Sequence, residues 1–514
     1  MIKMEKLFKE SLFYRIYIYI LSLLRSSFLF DYTKPQYKLR TYNDSLKGSH
    51  LYKLLAKLDD KMSRFYKKLN KVYKESFIRG IVDKFNTAFN ESIIYKGFIK
   101  LTGVNYFGFI FVLVIVAYIF TDYIIRRIPG LSSFANYWDE FYFLFMIFYI
   151  AMRRMNSNGS IRYNFTPFGF VLAVYFILGI IHVLVVQPNT KIAIEGFRAM
   201  FQHILWYYIF VQFFTNENIV KTTSKFIIHG GFLLGLHALY QFIFKVKMPG
   251  NWIDSSESIK VRAFSIVGSP NILGVLFVLI IPLAIALFLI EKNKKSKAIY
   301  FIEVMVMLLG LLLTYSRGAW IAFALAIFVF ILFTNVRVLT PFVILGSLFI
   351  VSGNSLSTRL LYMLTPEYMF KSASGGRIYR WTIGLKVWSK HKFWGVGLGR
   401  YGGAVALNND LSPFYLDNYY LKTLVETGYY GICAIGFMIL GFLISTLKVV
   451  FTQKNLDNKI LACGLFCGAL GVLIQNSVEN IFEFPAMIIY FVMYAALIMG
   501  LRNKGIDYES TSSN

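Results

Sequence analysis

The chain has 514 residues, of which 57% are hydrophobic, 18% are aromatic and only 16% are charged. A soluble protein of this length carries about a quarter of charged residues, so the composition indicates a polytopic membrane protein. The net charge of +27 does not indicate nucleic-acid binding, because the basic residues are divided between an N-terminal block and short loops between apolar runs.

The first region of the chain, residues 1–106, is strongly basic. It holds 21 Lys and Arg against 9 Asp and Glu, a net charge of +12. Within it, the run LYKLLAKLDDKMSRFYKKLNKVYKESFIRGIVDKF places apolar residues at helical spacing among lysines. This pattern predicts a cytoplasmic helical region that lies on the anionic lipids of the inner leaflet. A module that binds a partner protein is the alternative.

Apolar stretches of about membrane-spanning length follow from residue 107 onward. We predict about twelve spans, at residues 107–125, 134–152, 168–186, 193–214, 226–245, 268–290, 298–315, 318–335, 338–352, 418–446, 459–477 and 484–501. The predicted regions are therefore a basic region (1–106), nine transmembrane helices (107–352), a large loop (353–417), and three further helices with a tail (418–514). The fold class is predicted as an all-α polytopic membrane protein.

The distribution of basic residues between the loops predicts the orientation. With the basic N-terminal region in the cytoplasm, most basic loops, such as EKNKKSK at 291–297, also fall on the cytoplasmic side. The turn at Arg126-Arg127 and the loop 245–262 depart from this rule. Both termini are then cytoplasmic, and the long loop 353–417 is extracytoplasmic. A loop of this length in a compact protein is usually functional.

Four arginines are predicted to share the outer side of the membrane with this loop. Arg317 lies between two spans in LLLTYSRGAW, Arg377 and Arg380 follow a Gly-Gly turn in SASGGRIYRWTIGLKVW, and Arg262 lies in VRAFSIVGSPNILG. An arginine fork matches two phosphate oxygens at once, so the group suits a phosphorylated ligand. Taken singly, each arginine is also explained as a snorkelling helix end or as part of an amphipathic helix on the interface.

The acidic partner of these arginines is Asp417, which stands beside Asn418 in YLDNYYLKTLVETG. A carboxylate among arginines can act as a base toward an incoming hydroxyl. That combination suits transfer of a group from a lipid diphosphate, whose leaving diphosphate the arginines would stabilise. Glu195 and Arg198, at i and i+3 in the fourth span, are candidate supporting residues together with Asn418. The alternative is that Glu195 and Arg198 only neutralise each other.

Other polar segments are predicted to be structural. The glycine-rich HKFWGVGLGRYGG, which contains Arg400, fits tight turns and only weakly indicates phosphate binding. Ser269 or Asn271 is predicted to cap the sixth span. Glu479 and Glu483 border the last outer turn, where a solvated loop is predicted in preference to a path for the acceptor.

The sequence contains no nucleotide-binding or metal-binding signature. It has no G-x-x-x-x-G-K-[ST] run, no dinucleotide fingerprint and no His/Cys cluster at metal spacing. We therefore predict no metal and no other cofactor, and the function on the outer side must use a pre-activated substrate or involve no covalent chemistry.

The motifs TYSRGAW, GGRIYRW, GVGLGRYGG and DNYYLKTLVETGYYG occur in an order that resembles the O-antigen ligase and polymerase superfamily. The resemblance covers roughly residues 160–500 and is strongest over 262–445. It implies a GT-C-type glycosyltransferase fold and transfer of a glycan from undecaprenyl diphosphate on the outer face of the membrane. The acceptor hydroxyl would belong to a glycan, lipid, protein or wall polymer.

The resemblance also implies residue roles. Arg317 and Arg377 would bind the donor diphosphate, with Arg380 and Arg262 assisting. Lipopolysaccharide ligases carry His-Asn where this chain has Asp417 and Asn418, which favours a Gram-positive-type enzyme with the aspartate as base.

His391 is the histidine of the large loop, and it falls at a structural position in the resemblance. The predicted activity is metal-independent, inverting transfer by a multi-pass protein of the cell membrane. Polymerase and ligase remain open alternatives. A flippase for lipid-linked oligosaccharide, which needs the arginines but no base, and an interaction scaffold are the alternatives from other classes.

Overall fold

The computed structural model describes residues 50–502, apart from gaps at 78, 81–83, 85–86, 89–90, 103, 105–107, 132–133, 158–160, 162, 187–188 and 249–260. The first 49 residues and most of the basic loop 245–262 therefore lie outside the described residues. The chain divides into two compact units, residues 1–62 with 503–514 and residues 63–502. The second unit carries all of the features considered below, except for the first half of the first helix.

All regular secondary structure in the described ranges is helical, without a strand. The helices, numbered in chain order, are α1 (His50–Lys74), α2 (Ile93–Thr102), α3 (Gly108–Val116), α4 (Tyr118–Ile125), α5 (Trp138–Asn156), α6 (Pro167–Val185), α7 (Thr190–Phe201), α8 (Trp206–Phe213), α9 (Glu217–Ile243), α10 (Pro270–Ile290), α11 (Lys294–Leu313), α12 (Arg317–Thr334), α13 (Leu339–Val351), α14 (Ser355–Tyr362), α15 (Pro366–Ala373), α16 (Arg377–Lys390), α17 (Ala404–Asn408), α18 (Tyr419–Thr452), α19 (Leu456–Gln475) and α20 (Pro485–Gly500).

The helices confirm a multi-pass membrane protein. Among the described residues, seven helices are long and apolar enough to cross a membrane by themselves: α6, α9, α10, α11, α12, α18 and α19. The number rises to nine if the bent pair α3–α4 and the bent pair formed by Val336–Val351 with α14 each cross as one span. Each of the twelve predicted spans coincides with a helix or with two consecutive helices. The count of twelve crossings and the GT-C fold stay predictions.

Helix α1 has the conformation predicted for the basic amphipathic segment. Six apolar side chains are exposed and recur every three to four residues, as on one face of a helix: Leu54, Leu58, Met62, Phe65, Leu69 and Val72. Its contact with anionic lipids stays a prediction.

The core of residues 63–502 contains a helix pair that packs through glycines. A Cβ on Gly468 of α19 would lie 2.1 Å from the carbonyl oxygen of Leu279 on α10, and one on Gly464 would lie 2.8 Å from the carbonyl oxygen of Pro282. In a bilayer, where lipid tails are as apolar as side chains, such close backbone approach is what holds helices together. Glycine is therefore required at these two positions.

Replacing Gly468 by Ala is expected to lower the free energy of unfolding by about 1–3 kcal/mol, because the methyl group would overpack the contact with α10. The matched control is Gly436→Ala on α18, where no atom lies within 4 Å of an added Cβ. That variant is expected to be neutral. Thermal unfolding of both variants in one detergent makes the comparison. Equal melting temperatures would contradict this close packing of α10 and α19.

The long predicted loop 353–417 is largely helical. It carries α14, α15, α16 and α17. Helix α16 occupies the stretch predicted as an amphipathic helix after the Gly-Gly turn, and it begins at Arg377. Of these helices, α14, α15 and α16 lie beside the residues at the start of α10, α12 and α18, where the candidate site lies.

Candidate functional site

A polar cavity of about 260 Å³ lies where α10, α12 and α16 begin. Its charged lining residues are Arg262, Arg317, Arg359, Lys371, Arg377, Arg380 and Asp417. The remaining polar lining residues are Asn271, Ser316, Ser372 and Gln475, and aromatic surface is added by Tyr315, Tyr362 and Tyr368. Six cations against one carboxylate make this lining suitable for an anionic ligand.

The structure brings all four predicted arginines and Asp417 into this one cavity. Their roles toward a ligand stay predictions. Elsewhere in the part of the chain that the structure describes, no group of three or more His, Cys, Asp or Glu side chains could hold a metal ion.

Two of the arginines are the first residues of helices. Arg317 opens α12 after Tyr315, whose φ of 51° lies in the left-handed region. Arg377 opens α16 after Gly376, where a Cβ would lie 2.8 Å from the Cα of Ser372. Each arginine therefore projects from a helix start that the local backbone fixes.

Arg262 is held by the backbone and by Asn271. Its Nε donates to the carbonyl oxygen of Thr314 at 2.9 Å, and its Nη2 donates to Oδ1 of Asn271 at 3.1 Å. The cap of α10 is Ser269, whose side chain accepts from the backbone N–H of Ile272. Of the two predicted capping residues, Ser269 is thus the correct one, and Asn271 belongs to the cavity.

Sequence reasoning missed the contribution of α14 and α15. Arg359 donates from Nε to the carbonyl oxygen of Tyr315 at 3.1 Å. The ring of Tyr368 lies 4.9 Å from the guanidinium carbon of Arg317. No motif marks α14 and α15, but basic residues in a loop predicted to be extracytoplasmic run against the usual charge distribution. This departure from the usual charge distribution is the sequence feature that could have indicated a functional role for Arg359 and Lys371.

Asp417 lies between the two arginines of α16. Its Oδ2 is 2.8 Å from Nη1 of Arg380 and 3.9 Å from Nε of Arg377. Burial raises the pKa of Asp417 above its ordinary value, and the two arginines offset part of that rise. The next residue, Asn418, caps α18 by accepting from the backbone N–H of Leu421 at 3.0 Å. The Asp-Asn pair thus combines a partly buried carboxylate with a helix cap.

Glu479 is a second acid, placed behind the cavity lining: it contacts two lining residues without being one itself. The prediction of a solvated loop there is wrong. Its Oε2 accepts from Nδ2 of Asn271 at 2.6 Å and lies 3.7 Å from Nη2 of Arg377. Burial, followed by the negative charge of Asp417, raises the pKa of Glu479 to about 7, although Arg377, Asn271 and Arg262 act in the opposite direction. The sequence around Glu479 carries no signal for this contact, because its partners come from three other segments.

Glu483 is not solvated either, since it belongs to a buried cluster with Lys422 and Glu426. Nζ of Lys422 lies 2.8 Å from Oε2 of Glu426 and 3.0 Å from Oε1 of Glu483. The remaining carboxylate oxygens accept from backbone N–H groups, those of Tyr401 at 3.1 Å and Ala404 at 3.3 Å. This cluster fixes the glycine-rich segment to α18 and to the turn before α20.

A break in α18 at Gly428 (φ 62°, ψ −158°) receives the glycine-rich segment. The carbonyl oxygens of Val425 and Glu426 accept from the backbone N–H groups of Val396 and Gly397, at 3.0 and 2.9 Å. Beyond the break, the backbone N–H of Tyr429 donates to the carbonyl oxygen of Lys392 at 2.9 Å. The segment therefore has the structural role predicted for it.

Arg400, which lies within this segment, is not among the residues that line the cavity. His391 is exposed at the end of α16 and also lies outside the cavity lining.

Glu195 and Arg198 are not brought to the cavity. Arg198 pairs with Glu140 of α5, and its Nε donates to Gln202 at 3.0 Å. Glu195 instead accepts from Nδ2 of Asn409 at 3.3 Å. The predicted supporting role of these residues, and the predicted pairing between them, are corrected accordingly. The two side chains connect α7 to α5 and to the segment after α17.

Comparison with protein families matches residues 302–436 to the family described as O-antigen ligase. The matched segment contains six of the seven charged lining residues: Arg317, Arg359, Lys371, Arg377, Arg380 and Asp417. Arg262 and Glu479 lie outside it. None of the curated proteins matches the chain.

Proposed function

Because the chain belongs, through residues 302–436, to the O-antigen ligase and polymerase superfamily, we propose that it is a membrane glycosyltransferase of cell-surface polysaccharide synthesis. It would move a glycan or a repeat unit from undecaprenyl diphosphate to an acceptor hydroxyl. The observation that carries this proposal is the cavity that five arginines line together with Asp417. In the proposed orientation both termini are cytoplasmic and the cavity opens on the extracytoplasmic side.

The arginines would bind the donor diphosphate. Arg317 and Arg377 are the proposed main ligands, with Arg380 and Arg262 assisting. Negative charge develops on the diphosphate as the glycan leaves it, and fixed guanidinium groups stabilise such charge best where water is excluded. In this scheme the arginines supply the positive charge of the site, so the transfer is metal-independent.

Asp417 would act as the base. The acceptor oxygen attacks the anomeric carbon while its proton passes to the carboxylate, and the bond from that carbon to the diphosphate oxygen breaks. One displacement at the anomeric carbon inverts its configuration. Arg380, at 2.8 Å from Oδ2, would keep the carboxylate in position. Burial, which raises the pKa of Asp417, makes it a stronger base than an exposed aspartate.

The test is a reconstituted assay with the full chain in liposomes and an undecaprenyl-diphosphate-linked oligosaccharide as donor. Formation of a longer glycan or a conjugate is the expected result. A ladder of products identifies a polymerase, and a single transferred block identifies a ligase. If the lipid-linked donor crosses the bilayer but no product forms, a flippase replaces this proposal.

Arg317→Gln is expected to weaken donor binding by about 10- to 100-fold, because it removes a charge-assisted contact with the diphosphate. The matched control is Arg337→Gln, which removes the same charge from an exposed residue just beyond the other end of α12. Donor affinity of the two variants, measured in the same nanodiscs, makes the comparison. If the two variants bind the donor with equal affinity, Arg317 does not bind the donor diphosphate.

A further inference from the structure

Two carboxylates form ion pairs with the guanidinium group of Arg377. Its Nε faces Asp417 at 3.9 Å and its Nη2 faces Glu479 at 3.7 Å. An arginine binds a phosphate through two parallel N–H donors. The group proposed to hold the donor is therefore shared with two internal anions before the donor arrives.

A diphosphate that binds Arg377 bidentately must displace one of these acids. Asp417 remains held by Arg380, at 2.8 Å, and as the proposed base it has to stay at the reacting carbon. Among the described residues, Glu479 has its ion pair with Arg377 alone, and its other close contact is the neutral Asn271. Glu479 is thus the acid that loses its ion pair with Arg377.

A largely buried carboxylate that loses its ion pair is costly unless it takes up a proton. We propose that Glu479 is a proton-linked counter-ion of the donor site: the donor diphosphate displaces it from Arg377, and Glu479 then binds one proton from solvent. This inference rests on the proposed function, because it needs a diphosphate at Arg377. No bond other than that to the proton is made or broken at Glu479.

The groups that face Glu479 set the pH range of the effect. They are Arg377 from α16, Asp417 from the residues before α18, Arg262 and Asn271 at the start of α10, and the nearby Tyr415. The pKa of Glu479 is about 7 in the protein without ligand. Glu479 is therefore largely protonated below pH 7 and largely ionised above it.

The protonation state of Glu479 determines how donor binding depends on pH. Below pH 7, Glu479 already carries its proton, so donor binding takes up none. Above pH 7, each binding event must take up a proton, and the donor Kd then rises by up to about tenfold per pH unit. Glu479→Gln cannot ionise, so its donor Kd is expected to change little over this range.

The experiment is calorimetric titration of the full chain in nanodiscs with undecaprenyl diphospho-N-acetylglucosamine. Neither phosphate of this diester titrates near neutral pH, so the ligand itself contributes no proton. Titrations in two buffers of different ionisation enthalpy count the protons taken up. At about pH 8 we expect close to one proton per donor in the wild type and close to none in Glu479→Gln.

Two further variants sharpen this test. Glu367→Gln removes a carboxylate from an exposed residue of α15 that lies outside the cavity lining, and it is expected to keep the wild-type proton uptake. Glu479→Asp keeps a titrating carboxyl and is expected to keep the uptake as well. If the variants at Glu479 fail to fold, the wild-type proton count still tests the proposal.

The outcomes separate this inference from the function on which it rests. Wild-type protein that binds and transfers the donor without proton uptake above pH 7 overturns the role of Glu479 alone. The same holds if Glu479→Gln takes up as many protons as the wild type. Wild-type protein that binds no donor at any pH overturns both proposals.

Discussion

Asp417→Asn is expected to reduce glycan transfer by about 10²- to 10⁴-fold, the range over which general base catalysis contributes to enzymatic rates. An amide cannot accept the proton of the acceptor hydroxyl. Donor binding should remain or become tighter, because the change removes an anion that lies 2.8 Å from Arg380 and 3.9 Å from Arg377. The measurement is the rate of product formation at saturating donor, together with the donor Kd.

The matched control for this prediction is Asp410→Asn. Asp410 shares the left-handed backbone of Asp417, with φ values of 53° and 50°, and asparagine tolerates that conformation well. It is exposed in the segment before Asp417 and is not among the residues that line the cavity. We expect Asp410→Asn to transfer the glycan at the wild-type rate. Undiminished transfer by Asp417→Asn would refute the assignment of the base.

Lys422→Met is expected to destabilise the protein by about 3–5 kcal/mol, the cost of breaking a buried ion pair from one side. Lys422 lies 2.8 Å from Glu426 and 3.0 Å from Glu483, and all three side chains are almost fully shielded from water. Without the lysine, two carboxylates would stay buried with no cation between them. Thermal unfolding of the purified protein measures the loss.

Lys390→Met serves as the control for Lys422→Met, because Lys390 is exposed in the last turn of α16. It is expected to change stability little. Adding Glu426→Gln and Glu483→Gln to Lys422→Met should restore part of the lost stability, since the buried negative charges disappear with the cation. If Lys422→Met and Lys390→Met have the same melting temperature, this cluster does not stabilise the fold.

The stretch from Asp417 to Gly428 links the chemistry to the fold. Asp417 reaches the arginines of α16, and Asn418 caps α18. Lys422 and Glu426, at i and i+4, anchor the glycine-rich segment, and Gly428 opens the helix to receive its backbone. One short sequence therefore positions the proposed base and the segment that supports it.

Local features of the sequence determined the protein class and most of the helices. Apolar runs of about membrane length become helices because the backbone can satisfy its hydrogen bonds only internally in lipid. Ser269, one of the two predicted capping residues, marks the start of α10. The motifs around Arg317, Arg377 and Asp417 were sufficient to name residues that share one cavity.

Only the tertiary structure decided which charges meet. The spacing of Glu195 and Arg198 predicts neighbours on one helix face, yet Arg198 pairs with Glu140 and Glu195 bonds to Asn409. Glu479 reaches Arg377 across separate segments. The physical reason is that sequence spacing fixes contacts within a helix, whereas ion pairs between helices depend on how closely their backbones pack. Glycines such as Gly468 set part of that packing.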